Sequence, residues 1–144
     1  MLTLTPELST GNGEIDRHHA DFVEALNAID AVEGDDVLVA LDRLIAHCEA
    51  HFAFENEQME ASHFPPIGCH LGEHEMVIET VREVRRRVVA GQPEIARSLG
   101  PALSEWFSNH VQSMDAVLAR YLAQPGVIES GPVQAGAAGC GLPA

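Results

Sequence analysis

Histidines and acidic residues recur at helical spacing in this chain. His51 and Glu55 are four residues apart, as are His70 and His74, whereas His110 and Asp115 are five apart. Residues four apart lie on one face of an α-helix, one turn above the other. Neutral imidazole and ionised carboxylate are metal ligands, and a set without thiolate suits iron better than a structural zinc site. The spacing therefore indicates metal chemistry.

The first pair lies on a helix face that is otherwise apolar. It belongs to the stretch HCEAHFAFENEQM (47–59), and the same face carries Leu44, Cys48, Phe52 and Met59. A buried carboxylate without a partner costs several kcal/mol, and unsatisfied imidazoles add to that cost. A bound metal ion would remove the cost, because it uses these groups as ligands.

Apolar residues recur every three or four positions along most of the chain. This rhythm predicts four helices, at about 15–32, 37–62, 69–90 and 94–122. The segments between them are EGDD (33–36), HFPPIG (63–68) and GQP (91–93). The fourth helix is expected to begin near Pro101, because proline suits the first turn of a helix.

Four helices with short connections predict an all-α, up-down-up-down antiparallel four-helix bundle. We expect residues 1–124 to form one domain that begins with a non-helical N-terminal arm. Residues 125–144 are rich in Gly, Ala and Pro and carry one charge, Glu129. They are expected to form a flexible C-terminal tail without a core of its own.

The bundle topology brings the polar residues that interrupt the apolar helix faces to one end of the bundle. The starts of helices 1 and 3 and the ends of helices 2 and 4 share that end, and seven candidate ligands are expected at one level there: His19, His51, Glu55, His70, His74, His110 and Asp115. Two ions bridged by the two carboxylates would use every ligand. Asp115 lies about 140° around an α-helix from His110, so it is expected to reach in from the flank.

In this order, the motifs resemble those of the hemerythrin family, and specifically of stand-alone bacterial hemerythrins. The resemblance covers about residues 11–122 and is carried by GNGEIDRHH, HFAFE, HLGEH and WFSNHVQSMD. It implies a non-haem di-iron site with an oxo or hydroxo bridge between the two Fe ions. The implied ligands are His70, His74 and His110 on one iron, His19 and His51 on the other, and Glu55 and Asp115 as bridges.

The resemblance also implies reversible O2 binding, for storage, delivery or buffering of oxygen, and not an enzyme. The iron with fewer protein ligands would keep an open position for O2. Two alternatives remain open at this point. One is a di-iron peroxidase or oxidase acting on peroxide or nitric oxide, and the other is an oxygen or redox sensor.

Six further residues lie near the candidate ligands in sequence. Phe22, Phe52 and Trp106 are expected to pack in the core, and the functional hypothesis is that they line the O2 pocket. His47 lies one turn before His51, further from the common level, so it is expected to be a bystander. His18 and His63 are expected to face solvent.

The charge balance argues against two classes of partner. The formal net charge is −14, with 22 acidic residues against 8 Lys and Arg. Nucleic acids and anionic membrane surfaces need basic patches. The N-terminus, MLTLTPELSTGNGEIDRHH, has neither a basic nor an apolar signal-peptide region, so the cytoplasm is the expected compartment. A monomer or a small homo-oligomer is expected, with no protein partner indicated.

Overall fold

The computed structural model describes residues 1–125, and within this range four helices form an all-α bundle. The first three helices are α1 (Gly13–Asp30), α2 (Asp36–Ala61) and α3 (Ile67–Val89). The fourth helix is continuous but has three parts, which are α4 (Leu99–His110), a π-helical turn (Val111–Asp115) and α5 (Ala116–Leu122). Short 3-10 helices lie at Pro6–Leu8 and Pro93–Ser98. The predicted fold class is confirmed. The fourth helix begins at Leu99, two residues before the expected proline.

The predicted tail, 125–144, lies outside the described residues except for Pro125. The predicted arm precedes α1, but the expectation that it is non-helical is wrong for Pro6–Leu8, which form a 3-10 turn that proline favours at its start. Asp16 accepts hydrogen bonds from the backbone N–H of Thr10 (2.8 Å) and from its hydroxyl (2.7 Å). Asn27 bonds both backbone groups of Leu2, at 3.1 and 2.8 Å. Leu8 is buried in the core, so polar anchors on α1 and one apolar side chain fix the arm.

Local signals in the sequence set the helix ends. The Asn12 side chain caps α1 by accepting from the backbone N–H groups of Glu14 and Ile15, both at 3.1 Å. This satisfies donors that the first helical turn leaves free. His63 follows α2 with a φ of 54°, and Gly91 follows α3 with a φ of 99°. Left-handed residues of this kind commonly end helices, and glycine adopts the conformation without strain.

The buried apolar side chains form two clusters. The larger one includes Phe22, Leu44 and Phe107, and the smaller one includes Ile15 and Met59. Buried polar side chains lie between the clusters; on α1, for example, the buried His19 comes after Ile15 and before Phe22. The apolar clusters stabilise the bundle by removing their surface from water. Burial of the polar layer between them costs free energy unless its side chains have hydrogen-bond partners or a bound cation.

The bundle surface is strongly charged. Arg82 on α3 pairs with Glu49 on α2 at 2.5 Å, and Arg85 pairs with Asp42 across the same two helices. Exposed pairs of this kind contribute little to stability. Within residues 1–125, no helix is both long enough and apolar enough to cross a membrane.

One tyrosine joins the last helix to the turn between α2 and α3. The Tyr121 hydroxyl lies 2.7 Å from the carbonyl oxygen of Ser62 and 3.2 Å from that of His63. Tyr121→Phe removes this donor, and we expect it to lower the free energy of unfolding by about 1 kcal/mol, as measured by urea denaturation. Thr80→Val is the control, because it removes an exposed hydroxyl that bonds only within its own helix. Equal losses in the two variants would contradict the proposed link.

Candidate metal centre

The seven candidate ligands meet in the buried polar layer. Each is at most 3% exposed to solvent. α1 supplies one of them, α2 and α3 supply two each, and the fourth helix supplies the last two: His19; His51 and Glu55; His70 and His74; His110 and Asp115. The expectation of a common level therefore matches their placement.

Their ligand atoms form two groups that share Glu55. One group contains Glu55, His70, His74, His110 and Asp115, and the other contains His19, His51 and Glu55. Within each group, one ligand atom from every residue lies within 4.8 Å of all the others. We call these the five-residue group and the three-residue group.

Glu55 turns one carboxylate oxygen towards each group. Its Oε1 lies 3.3 Å from the Nε2 of His70 and 3.2 Å from the Nε2 of His74. Its Oε2 lies 2.7 Å from the Nε2 of His51 and 3.9 Å from the Nε2 of His19. This carboxylate can therefore offer one oxygen to each of two cations.

The two carboxylate oxygens of Asp115 likewise face different imidazoles. Its Oδ1 lies 2.9 Å from the Nε2 of His70 and 3.1 Å from the Nε2 of His110. Its Oδ2 lies 2.8 Å from the Nε2 of His19. A second carboxylate thus spans the space between the two sets of imidazoles.

The backbone brings Asp115 to the face of His110. The residues Val111–Asp115 form a π-helical turn, in which the N–H of Ala116 bonds to the carbonyl of Val111, five residues earlier. Wider turns of this kind are rare and occur mostly as single bulges, often at functional sites. The expectation that Asp115 reaches in from the flank of a regular α-helix is wrong. The wider turn makes a five-residue spacing serve as a same-face pair.

The electrostatics keep both carboxyl groups ionised. Burial and the neighbouring Asp115 raise the pKa of Glu55, but the hydrogen bond from His51 and the close imidazoles of His70 and His74 outweigh them and hold it below its usual range. Burial also raises the pKa of Asp115, but the charge of the nearby His110 and the hydrogen bond from His19 hold it well below the usual range. Burial lowers the pKa of His110, yet the Asp115 carboxylate raises it to about 10. Two ionised carboxylates in one buried layer are charges that a bound cation can neutralise.

The unpaired atoms of the layer fit a cation. No hydrogen bond is made by Oε1 of Glu55, by Oδ1 of Asp115, or by the Nε2 atoms of His70, His74 and His110. All five belong to the five-residue group. Buried polar groups in proteins are nearly always satisfied, so a cluster of unsatisfied ones requires an explanation. Imidazole nitrogens and carboxylate oxygens that converge in this way are suitable metal ligands.

Aromatic side chains cover the imidazoles. Phe52 stacks on His74 with ring centroids 4.0 Å apart, and Trp106 stacks on His110 at 4.5 Å. Phe22 lies behind another ring, because it stacks on Phe107 at 4.9 Å.

Phe107 packs edge-on against His19, and the centroids of the two rings are 5.1 Å apart. Sequence reasoning missed Phe107, although its position one turn before His110 is a usable signal.

The other histidines lie outside both groups. His47 and His18 are half-buried, and their ring centroids lie 5.2 and 5.0 Å from that of His51. Burial lowers the pKa of His47 to about 4. The expectation that His18 faces solvent is wrong, because it packs between His51 and Phe54. His63 is exposed, as expected.

Comparison with known proteins agrees with these features. Residues 10–122 match the family Hemerythrin, described as the hemerythrin HHE cation binding domain. The chain belongs to the hemerythrin family. The matched range contains all seven candidate ligands of this hemerythrin.

The alignments with known relatives cover most of this chain and most of each relative. A bacteriohemerythrin of Ralstonia nicotianae is 45% identical over 119 residues, which cover 83% of this chain and 87% of the relative. A bacteriohemerythrin of Stenotrophomonas maltophilia is 32% identical over 123 residues, covering 83% and 80%. One of Methylococcus capsulatus is 23% identical over 119 residues, covering 80% and 91%. The resemblance found in the sequence motifs is thus confirmed at the level of the family.

Glu55 contributes to both groups, so its removal tests the whole centre. We expect Glu55→Ala to lose metal from both groups, because each loses a carboxylate oxygen. His47→Ala is the matched control on the same helix, and it should retain metal because His47 belongs to neither group. Elemental analysis of the purified proteins measures the metal content, and circular dichroism checks that both variants fold. Loss of metal from His47→Ala would show that the ligand set is wrong.

Proposed function

We propose that this hemerythrin holds two iron ions in the buried polar layer and binds O2 reversibly there, for storage, delivery or buffering. The observation that carries the proposal is the division of Glu55 and Asp115, each of which turns one oxygen towards each set of imidazoles. Imidazole with carboxylate and no thiolate favours iron over structural zinc.

The ligands divide unequally between the two ions. We assign His70, His74 and His110 to one iron, His19 and His51 to the other, and the two carboxylates as bridges. The iron held by two histidines would have fewer protein ligands, so it is the one expected to take O2. The pair of ferrous ions would supply the electrons that O2 binding requires and would recover them when O2 leaves.

The surrounding residues favour reversible binding over substrate oxidation. Phe107 lies against His19, and Phe52 and Trp106 lie against the imidazoles of the other set. Apolar rings exclude water, which slows proton delivery and the loss of reduced oxygen species. The residues named as ligands are at most 3% exposed, so a large organic substrate has no direct contact with the layer. These features support a carrier over an oxidase.

Repeated oxygenation separates a carrier from an enzyme. The protein is reduced anaerobically, exposed to O2 and then degassed, while the absorption of the bridged di-iron centre is followed. We expect the oxygenated spectrum to appear and disappear over several cycles, with two iron ions per chain by elemental analysis. His47→Ala should cycle in the same way.

Other outcomes point to other functions. One-way conversion to the ferric form, with turnover of added peroxide or nitric oxide, would overturn the carrier proposal and favour a di-iron enzyme. One iron per chain, or zinc, would overturn the di-iron centre itself.

A further inference from the structure

The five candidate ligand histidines differ in the hydrogen bonds made by Nδ1, the ring nitrogen that faces away from Glu55 and Asp115. The Nδ1 of His110 donates to Oε1 of Glu73 at 2.8 Å, and the Nδ1 of His74 donates to Oδ1 of Asn56 at 3.0 Å. The Nδ1 atoms of the other three, His19, His51 and His70, are buried and make no hydrogen bond to any of residues 1–125. Within this described range, His110 is therefore the one imidazole of the five with a charged partner behind it.

Glu73 holds two rings at once. The same Oε1 atom accepts from the indole N–H of Trp106 at 3.0 Å. Trp106 in turn stacks on His110, with an angle of 22° between the rings. Glu73 is on α3, whereas the two rings are on α4, so one carboxylate fixes the position of one ligand-bearing helix against another. Its side chain is 17% exposed.

A carboxylate behind a ligating histidine has known physical effects. It fixes which ring nitrogen carries the proton, it fixes the ring orientation, and it makes the other nitrogen a stronger donor. Loss of such a partner typically costs 10–100-fold in metal affinity. Asn56 provides orientation to His74 in the same manner, but it adds no negative charge.

We propose that Glu73 is a positioning residue that fixes His110 as an Nε2 ligand and strengthens iron binding at the five-residue group. The charge of Glu73 increases the retention of that iron over the iron of the three-residue group. This inference rests on the proposed di-iron function. Sequence reasoning did not single out Glu73, although it directly precedes His74 in HLGEH.

Substitutions can separate the charge of Glu73 from its hydrogen bonds. Glu73→Gln keeps an acceptor oxygen and removes the charge, whereas Glu73→Ala removes both. Asn56→Asp places a new carboxylate behind His74, in the same five-residue group. Glu75→Gln is the matched control, because Glu75 is exposed on the same helix.

Iron release under anaerobic conditions measures retention. Ferrous protein is mixed with a coloured iron(II) chelator, and the release of each iron is followed. For Glu73→Gln we expect the more slowly released iron to leave about 10–100-fold faster than in the wild type, and for Glu73→Ala faster still. Asn56→Asp should slow its release, and the double variant Glu73→Gln, Asn56→Asp should recover part of the loss. Glu75→Gln should match the wild type.

Thermal melting of the metal-free variants distinguishes positioning from a purely structural role. If Glu73 only stabilised the fold, the loss of thermal stability would account for every loss of iron retention, whereas a positioning role predicts faster release in Glu73→Gln without a matching drop in the melting temperature. Unchanged release in Glu73→Gln, or no rescue by Asn56→Asp, would overturn the inference while leaving the di-iron centre in place. Wild-type protein that holds fewer than two irons would instead overturn the proposed function.

Discussion

The structure depends on one costly arrangement, the burial of two ionised carboxylates side by side in the core of a helical bundle. Glu55 and Asp115 are at most 1% exposed, and the negative charge of Asp115 raises the pKa of Glu55. Five imidazoles surround the two carboxylates and keep them ionised. Several of the carboxylate oxygens and imidazole nitrogens that face one another nevertheless make no hydrogen bond within residues 1–125. A cation held between these atoms would supply the missing attraction, which would account for a polar layer in the core.

The rest of the bundle holds that layer in place. Two apolar clusters lie on either side of it and provide the favourable burial that offsets its cost. Each of the four helices contributes at least one candidate ligand, so the layer is complete only when the helices are packed together. The anchor of the arm on Asp16 and the bond of Tyr121 across the turn between α2 and α3 both lie at helix ends near the candidate ligands.

The two sides of the layer differ, and this difference is consistent with different tasks. One side has three histidines, two of which are supported from behind by Glu73 and Asn56. The other side has two histidines whose outer nitrogens have no partner. A firmly held ion on the first side and a less saturated ion on the second would suit reversible capture of a small ligand, because only one metal then changes its coordination.

The sequence by itself determined the helices, the bundle and the candidate ligand set, because apolar periodicity and same-face spacing are local properties of the chain. It failed where the backbone departs from α-helical geometry: His110 and Asp115 share a face only through a π-helical turn. It also failed for side chains that meet across helices, such as Phe107 with His19 and Glu73 with His110. Only the tertiary structure decided these contacts, because they depend on the relative rotation and height of packed helices, which no local pattern specifies.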